Sequence, residues 1–84
     1  MEIENIEKSI KEVLSNKLHI EEIKLEDNLK NDLGADSLDL VETIMDLESV
    51  FDIRISDNEA ETIHTVKDAV EVVNAIVNKT RRIK

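Results

Sequence analysis

One glycine and no proline occur in the 84 residues of this chain. Tight hairpins draw on those two residues for positive-φ and pre-set turn positions. A fold of many short strands is therefore a poor match, and helices joined by loops fit better. The apolar pattern agrees. Ile3, Ile6, Ile10, Val13 and Leu14 recur at helical steps, as do Leu40, Ile44, Leu47 and Phe51. A third set, Val66, Ala69, Val70, Val73, Ile76 and Val77, repeats the pattern despite its valines. Helix-start chemistry precedes two of these segments: Asp36 with Asp39 for the second, Thr65 with Asp68 for the third. Ser56-Asp57-Asn58-Glu59 reads as a capping box opening one or two further turns.

These signals predict an all-α chain. The expected architecture is a small four-helix bundle with three longer helices and a short third one, with a long packed loop after the first helix. That loop, residues 15–35, carries Leu25, Leu29 and Leu33, expected to be pinned to the core. Phe51-Asp52-Ile53-Arg54-Ile55 alternates like a strand but has no evident partner, so it is expected to be an extended connector. One domain over 1–79 and a basic tail over 80–84, expected to be disordered, complete the division.

Charge narrows the function. Lys and Arg total 11 against 20 Asp and Glu, a formal net charge of −9. Such a surface does not neutralise phosphate backbones, which argues against a nucleic-acid partner. With no cysteine there is no disulfide framework and no thiolate metal site. No apolar run exceeds three residues, too short to enter a bilayer as a span. The first residues, Met1-Glu2-Ile3-Glu4, are acidic and lack an export signal's apolar core, so the expected location is the cytoplasm. No calcium-loop spacing and no other metal motif occurs.

The second helix is not arranged for burial alone. At about 100° per residue, Leu40, Ile44, Leu47 and Phe51 form a core stripe. Leu38, Val41 and Met45 form a second apolar shoulder, and Asp39, Glu42 and Asp46 an acidic face beyond it. Carboxylates bordering aliphatic groups suit a basic partner, since charge steers the encounter and apolar contact holds it. From Asp36 to Glu61 there are nine acids and one base, Arg54. Ser37 stands at the start of this helix, behind the turn that Gly34 permits, where outward N–H groups favour a phosphate. A catalytic role for Ser37 needs a base within reach, and neither His19 nor His64 forms a recognisable arrangement with it. No catalytic residue is therefore assigned.

Leu33-Gly34-Ala35-Asp36-Ser37-Leu38-Asp39, followed by Val41-Glu42 and Met45-Asp46-Leu47-Glu48, resembles the attachment site and recognition helix of acyl carrier proteins. The resemblance continues through Phe51-Asp52-Ile53-Arg54-Ile55, Asp57-Asn58-Glu59-Ala60-Glu61 and the Ile63-Thr65-Val66 entry to the last helix, covering the chain to about Val77. It implies a carrier rather than an enzyme. Ser37 would hold a covalent 4′-phosphopantetheine arm derived from coenzyme A and delivered by a phosphopantetheinyl transferase. Asp36, Leu38, Asp39, Val41, Glu42, Met45, Glu48, Asp57, Glu59 and Glu61 would dock on basic patches of that transferase and of fatty acid synthesis enzymes. Growing acyl chains would travel as thioesters on a monomeric protein. The aliphatic residues beside the second helix predict a cleft for the acyl chain near Ile44, Met45, Ile55, Ala60 and Ile63. Four positions depart from the family pattern: Ser56 stands where a proline is frequent before the third helix, Thr43 where an aliphatic residue is usual, Leu40 where a small polar one is usual, and Asp46 where alanine is common. Together they predict a rotated packing of the second helix. Other cargoes (D-alanine, an aminoacyl group or a polyketide) and a small acidic interaction module without a prosthetic group stay open.

Overall fold

Backbone left without strand partners must satisfy its hydrogen bonds within helices and caps, and the computed structural model shows where they go. It describes residues 2–82, with side chains through residue 79. Four helices follow in order: α1 (Ile3–Leu18), α2 (Ser37–Phe51), α3 (Asp57–Glu61) and α4 (Val66–Arg82). No strand occurs among the described residues; a single antiparallel bridge joins Asn28 to Thr65. α1 packs against α4 and α2, and α2 also meets α4. The expected tail over 80–84 overlaps the end of α4, and its last two residues lie outside the described ones.

The core is aliphatic. α1 contributes Ile6, Ile10 and Leu14, α2 contributes Leu47, and α4 contributes Val66, Ala69, Val70, Val73 and Val77. Two expectations need correction. The loop does not begin at Ser15, because α1 runs on through Leu18. It stops there when His19 adopts a left-handed φ of 59°, its N–H bonded to the Ser15 carbonyl, an ending that glycine would ordinarily mark. The core stripe of α2 is also displaced. Leu40, Ile44 and Phe51 are only half-buried, whereas Thr43 is buried beside Leu47. α2 packs against both α1 and α4, and the Thr43–Leu47 edge is the one it turns inward.

The long loop is a packed element. Ile23, Leu29 and Leu33 are buried and Leu25 is half-buried against the cluster. Backbone bonds stitch it to the start of α4: Leu29 N donates to His64 O at 2.9 Å, Val66 N to Asp27 O at 3.0 Å and Lys67 N to Leu25 O at 2.9 Å. Ala35 N closes the loop on Leu29 O at 2.9 Å, which fixes the approach to α2.

The expected caps form. Ser56 and Glu59 make the reciprocal box at α3; there the Ser56 backbone N–H, then its hydroxyl, hold the Glu59 carboxyl below its ordinary value. At α4, Asp68 N donates to Thr65 Oγ1, while Asp68 Oδ2 accepts from Thr65 N at 3.1 Å and His64 N at 3.0 Å. Burial alone would raise the Asp68 carboxyl, but the hydrogen bonds from His64 and Thr65 outweigh it and hold the group below its ordinary 3.8. A depressed folded-state value means the stabilisation is complete above the unfolded value and is lost as pH falls through the folded one. Asp68→Asn is therefore expected to lower stability by about 1 kcal/mol at pH 7 and by less at pH 2, because the stabilisation is lost as the Asp68 carboxyl takes up its proton. Thermal melts at the two pH values check this, and equal losses at both would contradict it.

Candidate functional site: the head of α2 and the cavity behind it

The approach to α2 turns on Gly34, whose φ of 76° lies in the left-handed region. A Cβ placed there would meet nothing within 4 Å, so the constraint is one of backbone conformation and not of space. Gly34→Ala is accordingly expected to cost about 1–2 kcal/mol, with Gly34→Asn costing less because asparagine tolerates this region. Denaturant midpoints of the two variants test the order; equal midpoints would contradict it.

Beyond the turn, Asp36 caps the helix. Its Oδ1 accepts from Asp39 N at 2.8 Å, and Asp39 Oδ2 accepts from Asp36 N at 3.2 Å. This reciprocal box holds the first turn rigid and leaves Ser37, the first helical residue, exposed between its partners. Among the described residues no hydrogen bond engages the Ser37 hydroxyl. A phosphodiester built on that oxygen displaces no contact, and the positive end of the helix dipole favours its charge. No residue in the arrangement activates Ser37 as a nucleophile; His19 and His64 are both exposed loop residues.

The apolar shoulder lies in solvent. Leu38, Val41 and Met45 are 64%, 56% and 60% exposed, an aliphatic strip running down α2 from Ser37. Its acidic border is partly engaged within the molecule. Lys17 of α1 reaches Asp46 Oδ2 at 3.0 Å and Glu42 Oε1 at 3.4 Å. Its ammonium is held above its ordinary value, first by the hydrogen bond to Asp46. The charge at Asp46, unusual for the family pattern, thus has a partner that the sequence did not disclose, because Lys17 and Asp46 lie 29 positions apart in the chain. Glu48 Oε2 accepts from Ile55 N at 2.7 Å and tethers the connector. Asp57 and Glu61 are exposed. Of the ten residues expected to dock, then, Leu38, Val41, Met45, Asp57 and Glu61 are the most open, while Asp36, Asp39, Glu42, Glu48 and Glu59 each also make an internal bond.

Behind the shoulder, α2, α3 and the core enclose a cavity of about 340 Å³, lined by Ile10, Leu14, Leu29, Leu40, Val41, Thr43, Ile44, Leu47, Asp57, Ala60, Glu61, Ile63 and Ala69. The expected cleft residues divide here. Ile44, Ala60 and Ile63 line this cavity. Met45 and Ile55 line a neighbouring groove with Glu48, Ile53 and Arg54, which shares Val41, Ile44, Asp57 and Ala60 with the first. Sequence patterning did not point to Leu40 or Thr43 as lining residues.

Among the described residues no helix is long and apolar enough to cross a membrane, and no group of three or more His, Asp or Glu side chains is placed to hold a metal ion. Comparison with known proteins completes the picture. The family described as "Phosphopantetheine attachment site" matches residues 8–73. A solved structure described as an acyl carrier protein from Mycobacterium tuberculosis superposes with a TM-score of 0.80 at 37% sequence identity, covering 83% of this chain and 96% of that one. The prosthetic group of such a domain is covalent 4′-phosphopantetheine, whose terminal thiol supplies the thioester chemistry while the polypeptide supplies none. An exposed serine on a rigidly capped helix, an apolar strip beside it and a cavity behind it are what that role requires of a protein, and this chain belongs to the acyl carrier protein family as a carrier rather than an enzyme.

Proposed function

We propose that Ser37 carries the 4′-phosphopantetheine arm and that the protein shuttles growing fatty acyl chains between the enzymes of fatty acid synthesis. The observation that carries this reading is the exposed Ser37 at the head of α2 with the Leu38–Val41–Met45 strip beside it. A hydrophobic chain free in water would aggregate. As a thioester on a tethered arm it stays part of a soluble anion and reaches each active site at high effective concentration. The capping box of Asp36 and Asp39 presents the attachment point in one fixed orientation. The aliphatic strip provides contact area for partners, and the acidic residues around it steer encounters with basic patches.

Docking built this way is weak and salt-sensitive, because exposed ion pairs contribute about 0–1 kcal/mol each and are screened over about 8–10 Å. Weak docking suits a carrier that must leave one enzyme for the next. Lys17 adds to this by holding Glu42 and Asp46 in competition with any incoming basic group. We place the protein in the cytoplasm as a monomer, the form in which one diffusing carrier serves several enzymes.

Cargo is the finer part of the reading. Loading separates acyl from amino acid cargo: the arm-bearing protein is incubated with malonyl-coenzyme A and a malonyl transferase of fatty acid synthesis, and separately with D-alanine or other amino acids, ATP and the matching ligases. Malonyl transfer with no aminoacyl transfer supports the proposal. Loading by an amino acid ligase alone would assign the protein to a different cargo.

A further inference from the structure

Thr43 is only 3% exposed, and its Oγ1 is buried without a hydrogen-bond partner. It is the single buried polar side chain of the described core, and it lines the 340 Å³ cavity among Leu40, Ile44 and Leu47. An unpaired buried hydroxyl is disfavoured wherever an aliphatic side chain would fill the same space. Valine has nearly the same shape as threonine and would remove that penalty, so nothing in the packing accounts for the oxygen.

We propose that Thr43 makes the cavity selective for acyl chains bearing a neutral oxygen, a hydroxyl or a keto group, over saturated chains of the same length. This rests on the reading of Ser37 as the attachment residue. The hydroxyl donates to a keto oxygen or accepts from a chain hydroxyl. A saturated chain occupying the same space leaves Thr43 Oγ1 dry and unpaired. The preference is confined to neutral groups, because the exposed carboxylates of Asp57 and Glu61, which also line the cavity, repel an anionic chain end. At 340 Å³ the cavity is near the lower limit for a ligand site, matched to one short or medium chain.

The competing use of the hydroxyl is a bond back to a carbonyl of its own helix, which threonine makes elsewhere. The two uses predict different results. The protein is loaded at Ser37 with the bare arm, an octanoyl arm, or octanoyl arms carrying a hydroxyl or a keto group at successive carbons. Intact mass verifies each form, and Tm is measured for the wild type, Thr43→Val and Thr43→Ser. In the wild type, at least one oxygenated chain is expected to raise Tm above the saturated chain by about 4–8 °C, equivalent to about a five-fold preference. Thr43→Val is expected to reverse that order, and Thr43→Ser, which keeps the hydroxyl, to retain it. If the oxygenated-minus-saturated difference is the same in wild type and Thr43→Val at every position, or if no chain raises Tm, the inference is overturned. Failure to accept the arm at all would instead overturn the reading of Ser37, and the mass measurement tells the two failures apart.

Discussion

Leu47→Ala is expected to lose about 3–4 kcal/mol of stability, a large fraction of what holds this domain together. Leu47 is fully buried on α2 between α1 and α4 and borders the cavity. Removing its isobutyl group forfeits the transfer free energy of the methylenes and enlarges an existing void, so collapse of the surroundings cannot relieve the loss; the range for such substitutions is about 2–5 kcal/mol. Domains of this length have about 4–13 kcal/mol in total. The expected fall in Tm is about 12–30 °C. Two controls give the claim its shape. Ile44→Ala, half-buried on the same helix, is expected to cost less than half as much, and Met45→Ala, 60% exposed, to stay within about 0.5 kcal/mol of wild type. Urea midpoints at constant m-value measure all three. A Leu47→Ala protein within 1 kcal/mol of wild type would contradict the placement of α2 on the core.

Where the sequence was legible, local chemistry and global packing agreed. Asp36 with Asp39, Ser56 with Glu59 and Thr65 with Asp68 are pairs three residues apart, so their hydrogen bonds can be read without knowing the fold. The amphipathic faces of α1 and α4 were legible for the same reason. Helix ends were harder. His19 and Asp52 both take left-handed φ values, 59° and 54°, without glycine, so α1 showed no stop signal and its last turn passed for loop. The face of α2 was hardest. A helix touching two neighbours is buried over an arc wider than one stripe, and only the neighbours decide its centre. Thr43 therefore looked like a departure from pattern when it is the buried edge. Lys17 with Asp46, and Glu48 with Ile55 N, connect positions whose proximity only the tertiary structure creates.

The same distinction applies to the site. Ser37, Leu38, Val41 and Met45 share one helix, and their relation follows from about 3.6 residues per turn. The cavity does not follow from any one helix, since α1, the long loop, α2, α3 and α4 all contribute walls to it. Three of the five residues expected there were found together because they flank α2 and α3; the other two face the adjoining groove.

Ser37→Ala is expected to abolish modification completely while leaving the bundle folded. The substitution removes an exposed hydroxyl with no hydrogen bond, at the first position of a helix whose cap belongs to Asp36. Alanine is a good helix former, so stability should stay within about 0.5 kcal/mol of wild type. A partial loss is not expected, because no second serine combines exposure with this capped approach and the neighbouring strip. The decisive measurement is the intact mass of both proteins after incubation with coenzyme A and a phosphopantetheinyl transferase. The account predicts that the wild type gains the mass of one phosphopantetheine, located on the peptide containing Ser37, and that folded Ser37→Ala gains nothing. A wild type that stays unmodified, or a Ser37→Ala protein that is modified as readily, would contradict it.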